Sequence, residues 1–445
     1  MSAASSDHQT PDVDEDLPPT NDVASSRPYD EPDISTDEFW NQDLSEQDAV
    51  FARLRRERPV SWQRPIESAL SPEPNDVGFW AVARHDDITE VSHRNDVFVS
   101  RYGVHFDHVP REHQELGQSF LAMDEPRHTR LRRLVVAAFT PRQIKRIEGD
   151  IAARAHRIVA AAAQRGRDGE PIDFVTDIAK HLPIEMFGDM FGVPAEVRPE
   201  VVHAADELVA WADPDLLAGR DAGEVAVAAT LKIHQIGIEL AARRRQKPEN
   251  DLLTSLVQAE IDGERLTDAE IGSIAVLFSV AATDTTRHTA SFAVRALTDF
   301  PDQRRWLWDD FDGRIGSAVE EFLRWGTVVL TFRRTAVAEY ELGGQHILPG
   351  DKVVMLYGSG NRDAEVFDAP EAFDLSRNPN KHIAFGGGGV HYCLGTHLAR
   401  SMLRSLFAEL HGQLPDFVIG EPKLMKTNFM RGVLSLPFAV TGFTS

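Results

Sequence analysis

Apolar residues recurring every three or four positions predict helices over residues 140–165, 224–245, 267–300 and 394–414, because that period gathers them on one helical face. Four short runs, at 60–62, 79–82, 340–342 and 352–355, read as strands of a small sheet beside the helical body. The predicted class is mainly α with a small β part. The 267–300 segment carries the sharpest signal. Thr267 and Glu270 have capping-box spacing and Pro301 closes the far end. Its roughly 34 residues would extend about 50 Å as a helix. The middle, IAVLFSVAA, is apolar on every side and therefore belongs in the interior. Thr283, Asp284, Thr285 and Thr286 come directly after it. A carboxyl and three hydroxyls inside a buried helix cost free energy unless they are hydrogen-bonded or used.

The start of the chain has a different texture. Residues 1–37 hold ten acidic side chains against one basic, Arg27, with scattered Pro and Ser. Residues 1–36 are accordingly expected to form a disordered acidic tail. No Pro/Gly/Ser linker interrupts the remainder of the chain, so 37–445 reads as one catalytic domain. The formal charge of −23 opposes binding to nucleic acid or anionic membrane. The N-terminus lacks a basic start and apolar run, and the longest apolar stretch, 274–282, falls far short of the roughly 20 residues that span a bilayer. A cytoplasmic monomer with no membrane anchor is expected. A single cysteine, Cys393, excludes an intramolecular disulfide and Cys-rich zinc patterns.

That cysteine stands in Phe385-Gly-Gly-Gly-Gly-Val-His391-Tyr-Cys393-Leu-Gly395. Four consecutive glycines remove every Cβ from one stretch of backbone, which lets it approach a flat ligand closely. Cys393 is read as opening the helix that carries Leu394, Leu398, Ala399 and Leu403. The free N–H groups of such a terminus favour a thiolate. The plain alternative is a small buried hydrophobe beside a loop. The spacing of Gly389, His391, Cys393 and Gly395 resembles the cytochrome P450 heme-binding signature, with one departure: Phe385 lies a residue further from the cysteine than in most members. The glycine-expanded form is similar to that of actinobacterial members acting on sterol side chains and methyl-branched lipids. The resemblance implies the cytochrome P450 fold and heme b, with Phe385, Gly386, Gly389 and Gly395 around the cofactor and the Cys393 thiolate as axial metal ligand.

Three further elements match in order. Glu321-Phe-Leu-Arg324 places a carboxylate and a guanidinium on one helix face. It resembles the family's Glu-x-x-Arg brace, a structural element, with Ala372 where many relatives carry a third, basic partner. His128 and Arg132, four apart on a helix, face the same way and suit an anionic group. The resemblance makes that group the heme propionates, and Arg334, rather than Arg333, together with His391 matches two further propionate partners. Ala281 to Thr286 resembles the oxygen-activation motif, with Asp284 and Thr285 in the catalytic acid and alcohol positions. Oxygen activation consumes protons, so a buried hydroxyl and a carboxyl relay make chemical sense there. Ala282 replaces the usual glycine and is expected to modulate activity through the local helix distortion.

The implied reaction is R–H + O₂ + two electrons + two protons giving R–OH + H₂O. No flavin or nucleotide fingerprint is present, so electrons from NAD(P)H are expected through a separate ferredoxin and ferredoxin reductase. A basic island, Arg127, Arg130, Arg133, Arg142, Lys145 and Arg146, is the expected dock for the ferredoxin. The glycine-expanded loop, with Asp284-Thr-Thr-Arg287-His288, Tyr357 to Asp363 and Asn378-Pro-Asn380, is most similar to the lipid and sterol side-chain hydroxylases of the family, a resemblance that implies a small hydrophobic substrate, a methyl-branched lipid or sterol side chain oxidised near its end. A terpenoid or secondary metabolite is the alternative. Residues 98–121 and the helices around 200–240 are expected to decide the choice. Rival activities are a peroxide-driven enzyme, which would not need the Asp284-Thr285 pair, a heme sensor, which would not need a proton relay, and a cysteine hydrolase, which would be colourless.

Overall fold

The computed structural model describes residues 26–440 apart from 68–69, 71–74, 110, 118, 210, 212 and 262. Helix makes up 55% of it and strand 11%, which meets the predicted class. The helices that position the site are α1 (His85–His93), α2 (Arg127–Val136), α3 (Pro141–Arg167), α4 (Arg198–Val209), α5 (Ala222–Gln246), α6 (Asp268–Asp299), α7 (Phe311–Gly326) and α8 (Thr396–Gln413). The expected 140–165, 224–245 and 267–300 helices are thus present as α3, α5 and α6 with ends shifted by one or two residues.

The long helix α6 begins as its capping box requires. Thr267 Oγ1 accepts from the Glu270 N–H at 3.2 Å, and the Glu270 carboxylate accepts from the Thr267 N–H at 2.9 Å. Its 32 residues run through the core and stop at Phe300, after which Pro301 opens the next helix. Against it lies α5, so close that a Cβ on Gly237 would come within 2.7 Å of the Ala275 Cβ. Among the described residues α5 is the one helix long and apolar enough to cross a membrane by length and composition. Ala229, Ile233, Leu240 and Ala241 of that helix are spent in the protein core instead.

The sheet contains β1 (Val60–Gln63), β2 (Phe79–Val82), β3 (Phe98–Val99), β4 (Thr331–Ala336) and β7 (Lys352–Leu356), while β5 (Tyr340–Leu342) and β6 (Gln345–Ile347) form a separate hairpin. Its order is β1-β2-β7-β4-β3, with β7 parallel to β2 and antiparallel to β4. The pattern reading missed β4 because Arg333 and Arg334 interrupt its apolar alternation. Both arginines are buried all the same, and Val353 faces Arg334 across the β7 pairing. The expected 394–414 helix starts at Thr396, because Cys393, Leu394 and Gly395 form the turn that leads into it.

The acidic tail also needs correction. Residues 1–25 lie outside the described residues, but 26–36 pack on the sheet. Ile34 is fully buried, Arg27 sits over the Trp62 and Trp80 rings at 4.8 and 5.1 Å, and its guanidinium pairs with Asp351 at 2.8 Å. Apolar and aromatic contacts therefore override the charge of this segment.

On α7, Glu321 and Arg324 are fully buried and joined by two 2.7 Å bonds. Arg324 also donates to the carbonyls of Asn361, Pro370 and Ala372, each at 2.9 Å. Glu321 accepts from the Asp374 N–H at 2.9 Å and from Asn380 Nδ2 at 3.0 Å, with Arg377 Nε 3.3 Å away. The third cation missing at Ala372 is thus supplied by Arg377, five residues later, while residue 372 contributes its carbonyl. Truncating one partner leaves a buried charge unpaired, so Arg324→Met is expected to cost about 3–5 kcal/mol. Chemical denaturation of the heme-loaded protein checks this, and a loss below 1 kcal/mol, roughly the value of an exposed pair, would contradict it.

Candidate active site

A cavity of about 540 Å³ lies between α6 and the turn that precedes α8. Ala281, Ala282 and Thr285 of α6 line one side, and Phe385, Cys393, Leu394 and Leu398 line the other. His105, Phe120, Leu208, Trp211, Ala226 and Thr230 also line it, which brings in the 98–121 loop and the 200–240 helices as expected for the substrate end.

The Cys393 N–H donates to the Phe385 carbonyl at 3.0 Å, closing the loop on itself. The thiol is accessible from the cavity yet enclosed by protein. Burial pushes its pKa up, while the Gly395 N–H, Arg132 and Arg400 pull it down. Burial is the largest of these effects and leaves the pKa raised; the downward pull comes from one amide and two cations rather than from a residue-394 helix start. The glycines work differently from the expectation of a flat ligand alone. A Cβ on Gly387 would lie 2.4 Å from Ser92 Oγ, one on Gly388 2.4 Å from the His93 ring, and one on Gly389 2.1 Å from the Ser92 carbonyl. These three seat the loop on the C-terminal end of α1. Gly386, with φ +97°, has open space where its Cβ would be.

At one edge of the cavity basic groups converge. His128 and Arg132 on α2, Arg334 on β4 and His391 in the loop form the cluster, with the His128 and His391 ring centroids 4.3 Å apart. Burial, then Arg334, His128 and Arg132, push the His391 pKa down to about 2, so the imidazole is neutral. Ser100 Oγ lies 3.1 Å from its Nε2. Burial also lowers His128, whose two ring nitrogens have no hydrogen-bond partner, the nearest carboxylate being Glu125 at 3.8 Å. Arg334 lines the cavity on the same strand face as Phe332. Arg333 turns the other way and donates to the Tyr102 carbonyl at 2.6 Å. Two guanidiniums and two imidazoles beside an apolar slot suit a flat, apolar ligand carrying carboxylates at one edge.

On α6 the acid and alcohol diverge. Thr285 lines the cavity, and its hydroxyl donates to the Ala281 carbonyl at 3.1 Å. With Ala282 in place of glycine, α6 passes this point as continuous α-helix, without the expected distortion. Asp284 is fully buried behind the cavity wall. Arg287 Nη2 lies 3.0 Å from its Oδ1 and 2.7 Å from Asp206 Oδ1 on α4, while Asp284 Oδ2 has no partner among the described residues. Burial raises the Asp284 pKa to about 6, with Arg287 opposing. Sequence reading quoted Arg287 but missed this role, although the i, i+3 spacing from Asp284 signals it; Asp206, on another helix, left no signal.

Comparison with known proteins decides the family. The cytochrome P450 family model matches residues 75–410. The chain belongs to the cytochrome P450 family. It is 39% identical over 401 residues to a methyl-branched lipid omega-hydroxylase of Mycobacterium tuberculosis, covering 90% of this chain and 92% of that protein. A steroid C26-monooxygenase of Rhodococcus jostii is 36% identical over 397 residues, covering 86% and 79%. A Mycobacterium marinum cytochrome P450 solved in complex with pseudoionone superimposes with a TM-score of 0.91 at 53% identity, covering 93% of this chain and 99% of that one.

This cytochrome P450 is a monooxygenase, and the family's heme-thiolate cofactor fits the residues present. A cysteine sulfur faces an apolar slot, Arg132, Arg334 and His391 line one edge of it, and the orphaned ring nitrogens of His128 lie beside His391, a donor set that suits propionates. Cys393→Ser is expected to abolish the thiolate-type Soret band of the ferrous carbon monoxide complex. An unaltered band would remove Cys393 as the ligand.

Proposed function

We propose that this monooxygenase hydroxylates a methyl-branched lipid or a sterol side chain at or near its end, and that residues 37–445 act as one catalytic unit. The carrying observation is that the cavity walled by Cys393 is also lined by apolar side chains away from the cysteine loop, Leu208, Trp211 and Ala226 among them, which suit a hydrophobic substrate. The names of the two relatives at 39% and 36% identity support the same class. A second reading, a terpenoid substrate, is favoured by the pseudoionone bound to the relative at 53% identity. Both share a branched hydrocarbon chain.

Bound heme-thiolate supplies the dioxygen chemistry. In this proposal Cys393 would ligate the iron, His128, Arg132, Arg334 and His391 would hold the cofactor's carboxylates, and Phe385, Gly386, Gly389 and Gly395 would shape the loop around it. Thr285 holds a water by exchanging its bond to the Ala281 carbonyl, and Asp284 is the acid that delivers protons, held toward Asp206, whose carboxylate is 41% exposed, by the Arg287 guanidinium, which keeps its own protons. Electrons come from NAD(P)H through a ferredoxin and its reductase. The exposed Arg130, Arg133, Arg142, Lys145 and Arg146 form a basic face for an acidic carrier, with Arg127 partly neutralised by Glu270 at 2.9 Å. The enzyme works as a cytoplasmic monomer.

A substrate-induced spectral shift screen over branched fatty acids, sterols and terpenoids, with product analysis, tests the substrate class. Terminal oxidation of a branched or sterol chain is the expected result, and turnover confined to terpenoids would favour the second reading. For the relay, Asp284→Asn is expected to slow product formation by about 10²-fold, in the range of a lost acid–base group. Product formed per electron in the native enzyme is expected to change around pH 6, where Asp284 titrates, and the variant to lose that inflection. Unchanged coupling and pH profile would exclude Asp284 from proton delivery.

A further inference from the structure

Behind the cysteine loop, outside the cavity, lies a second charged cluster that the Glu321-Arg324 brace does not use. Arg400, on the second turn of α8, is held by Glu320 through two bonds, Nε to Oε1 at 2.7 Å and Nη2 to Oε2 at 2.8 Å. Glu320 Oε2 lies 3.0 Å from His382 Nε2. His382 Nδ1 accepts from the Ala384 N–H at 3.2 Å, so that nitrogen is unprotonated and Nε2 carries the hydrogen that Glu320 receives. The two donors hold the Glu320 carboxyl down at about 2 against the opposing effect of burial, so it stays ionised.

This arrangement aims Arg400 at the ligand loop. Its guanidinium carbon lies 4.7 Å from the centroid of the Phe385 ring, a cation–π contact. The His382 ring is 5.7 Å from the same ring. The Phe385 carbonyl in turn accepts from the Cys393 N–H at 3.0 Å. Through Phe385 the guanidinium therefore stands against the loop that holds Cys393. Arg132 lines the cavity and belongs to the propionate cluster. Arg400 does not line it, so its charge is free of that role.

We propose that Arg400, positioned by Glu320 and His382, tunes the electron donation of Cys393 and thereby the reduction potential of the bound heme. The inference rests on Cys393 being the axial ligand. A cation packed against the loop that carries the sulfur stabilises negative charge there, and the reduced iron–thiolate unit carries one negative charge more than the oxidised one. Arg400 therefore raises the potential, and Glu320, by neutralising part of that cation, restrains the rise. The two residues have opposite signs, which a purely structural strut would not have, since breaking either end of a strut loosens the same loop.

The test is equilibrium redox titration of the substrate-free, heme-loaded protein. Arg400→Met keeps the stem length and removes the charge. It is expected to shift the ferric–ferrous equilibrium toward ferric by about tenfold, ~59 mV lower for one electron. Glu320→Gln is expected to shift it the other way. Arg400→Lys keeps the charge and is expected to stay within about threefold of the native value, ~28 mV on the same scale. Shifts of one sign in Arg400→Met and Glu320→Gln, or no shift in either, would overturn the proposal. If Arg400→Met fails to retain heme, the sign of the Glu320→Gln shift decides alone: upward supports, zero or downward overturns. Ferrous carbon monoxide spectra of the same samples report thiolate ligation separately, so a failure of the ligand assignment is distinguishable from a failure of the tuning.

Discussion

The fully buried pair Glu321–Arg324 is the constraint on which the active site depends. It stabilises α7 little by itself, since two ions taken out of water pay a desolvation cost comparable to their attraction. Its value is positional. Arg324 holds three carbonyls between residues 361 and 372, and Glu321 holds the amide of Asp374 and the side chain of Asn380. That stretch has no helix or strand of its own after Gly360, so these bonds replace the ladder that regular structure would supply. Asn361 extends the arrangement by accepting from the Ile383 N–H at 2.7 Å, two residues before Phe385. The cysteine loop is thus located by α7 through hydrogen bonds, and by α1 through three glycines that admit close backbone contact.

Two charged layers flank the loop. On the cavity side burial and neighbouring cations lower the pKa of both imidazoles; His391 has Ser100 Oγ at 3.1 Å, while the two ring nitrogens of His128 have no hydrogen-bond partner. On the far side, Arg400 is satisfied by Glu320 and still presents its face to Phe385. The first layer is suited to bind the cofactor's carboxylates and the second to act on the sulfur. Arg132 from the cavity side and Arg400 from the far side both lower the cost of a thiolate, but burial outweighs them and the thiol's pKa stands raised.

The α6 site shows how neighbouring residues in one helix take separate environments. Successive helical residues point about 100° apart, so Thr285 meets the cavity while Asp284 meets α4. The shared guanidinium of Arg287 joins the buried Asp284 to the half-exposed Asp206. The helix that carries the cavity-lining Leu208 is therefore in electrical contact with the acid. The back-bonded Thr285 hydroxyl and the continuous helix at Ala282 go together, because without a distortion the Ala281 carbonyl remains its nearest acceptor.

Much of the molecule was legible from the chain alone. The capping box, the apolar middle of α6, the spacing of His128 to Arg132 and the run from Phe385 to Gly395 are local patterns, and local patterns are what backbone geometry and helical period can interpret. They led to the fold class, the family, and Phe385, His391 and Cys393 on the cysteine side of the cavity. Long-range packing decided the rest. β4 was invisible because two buried arginines break its alternation, and residues 26–36 looked like a solvating tail until Trp62 and Trp80 received Arg27. Arg377 in place of a cation at 372, Asp206 opposite Arg287, and Arg400 over Phe385 are meetings between segments distant in sequence. Their physical basis is desolvation of a charge by one element and its compensation by another, which no single stretch of sequence contains.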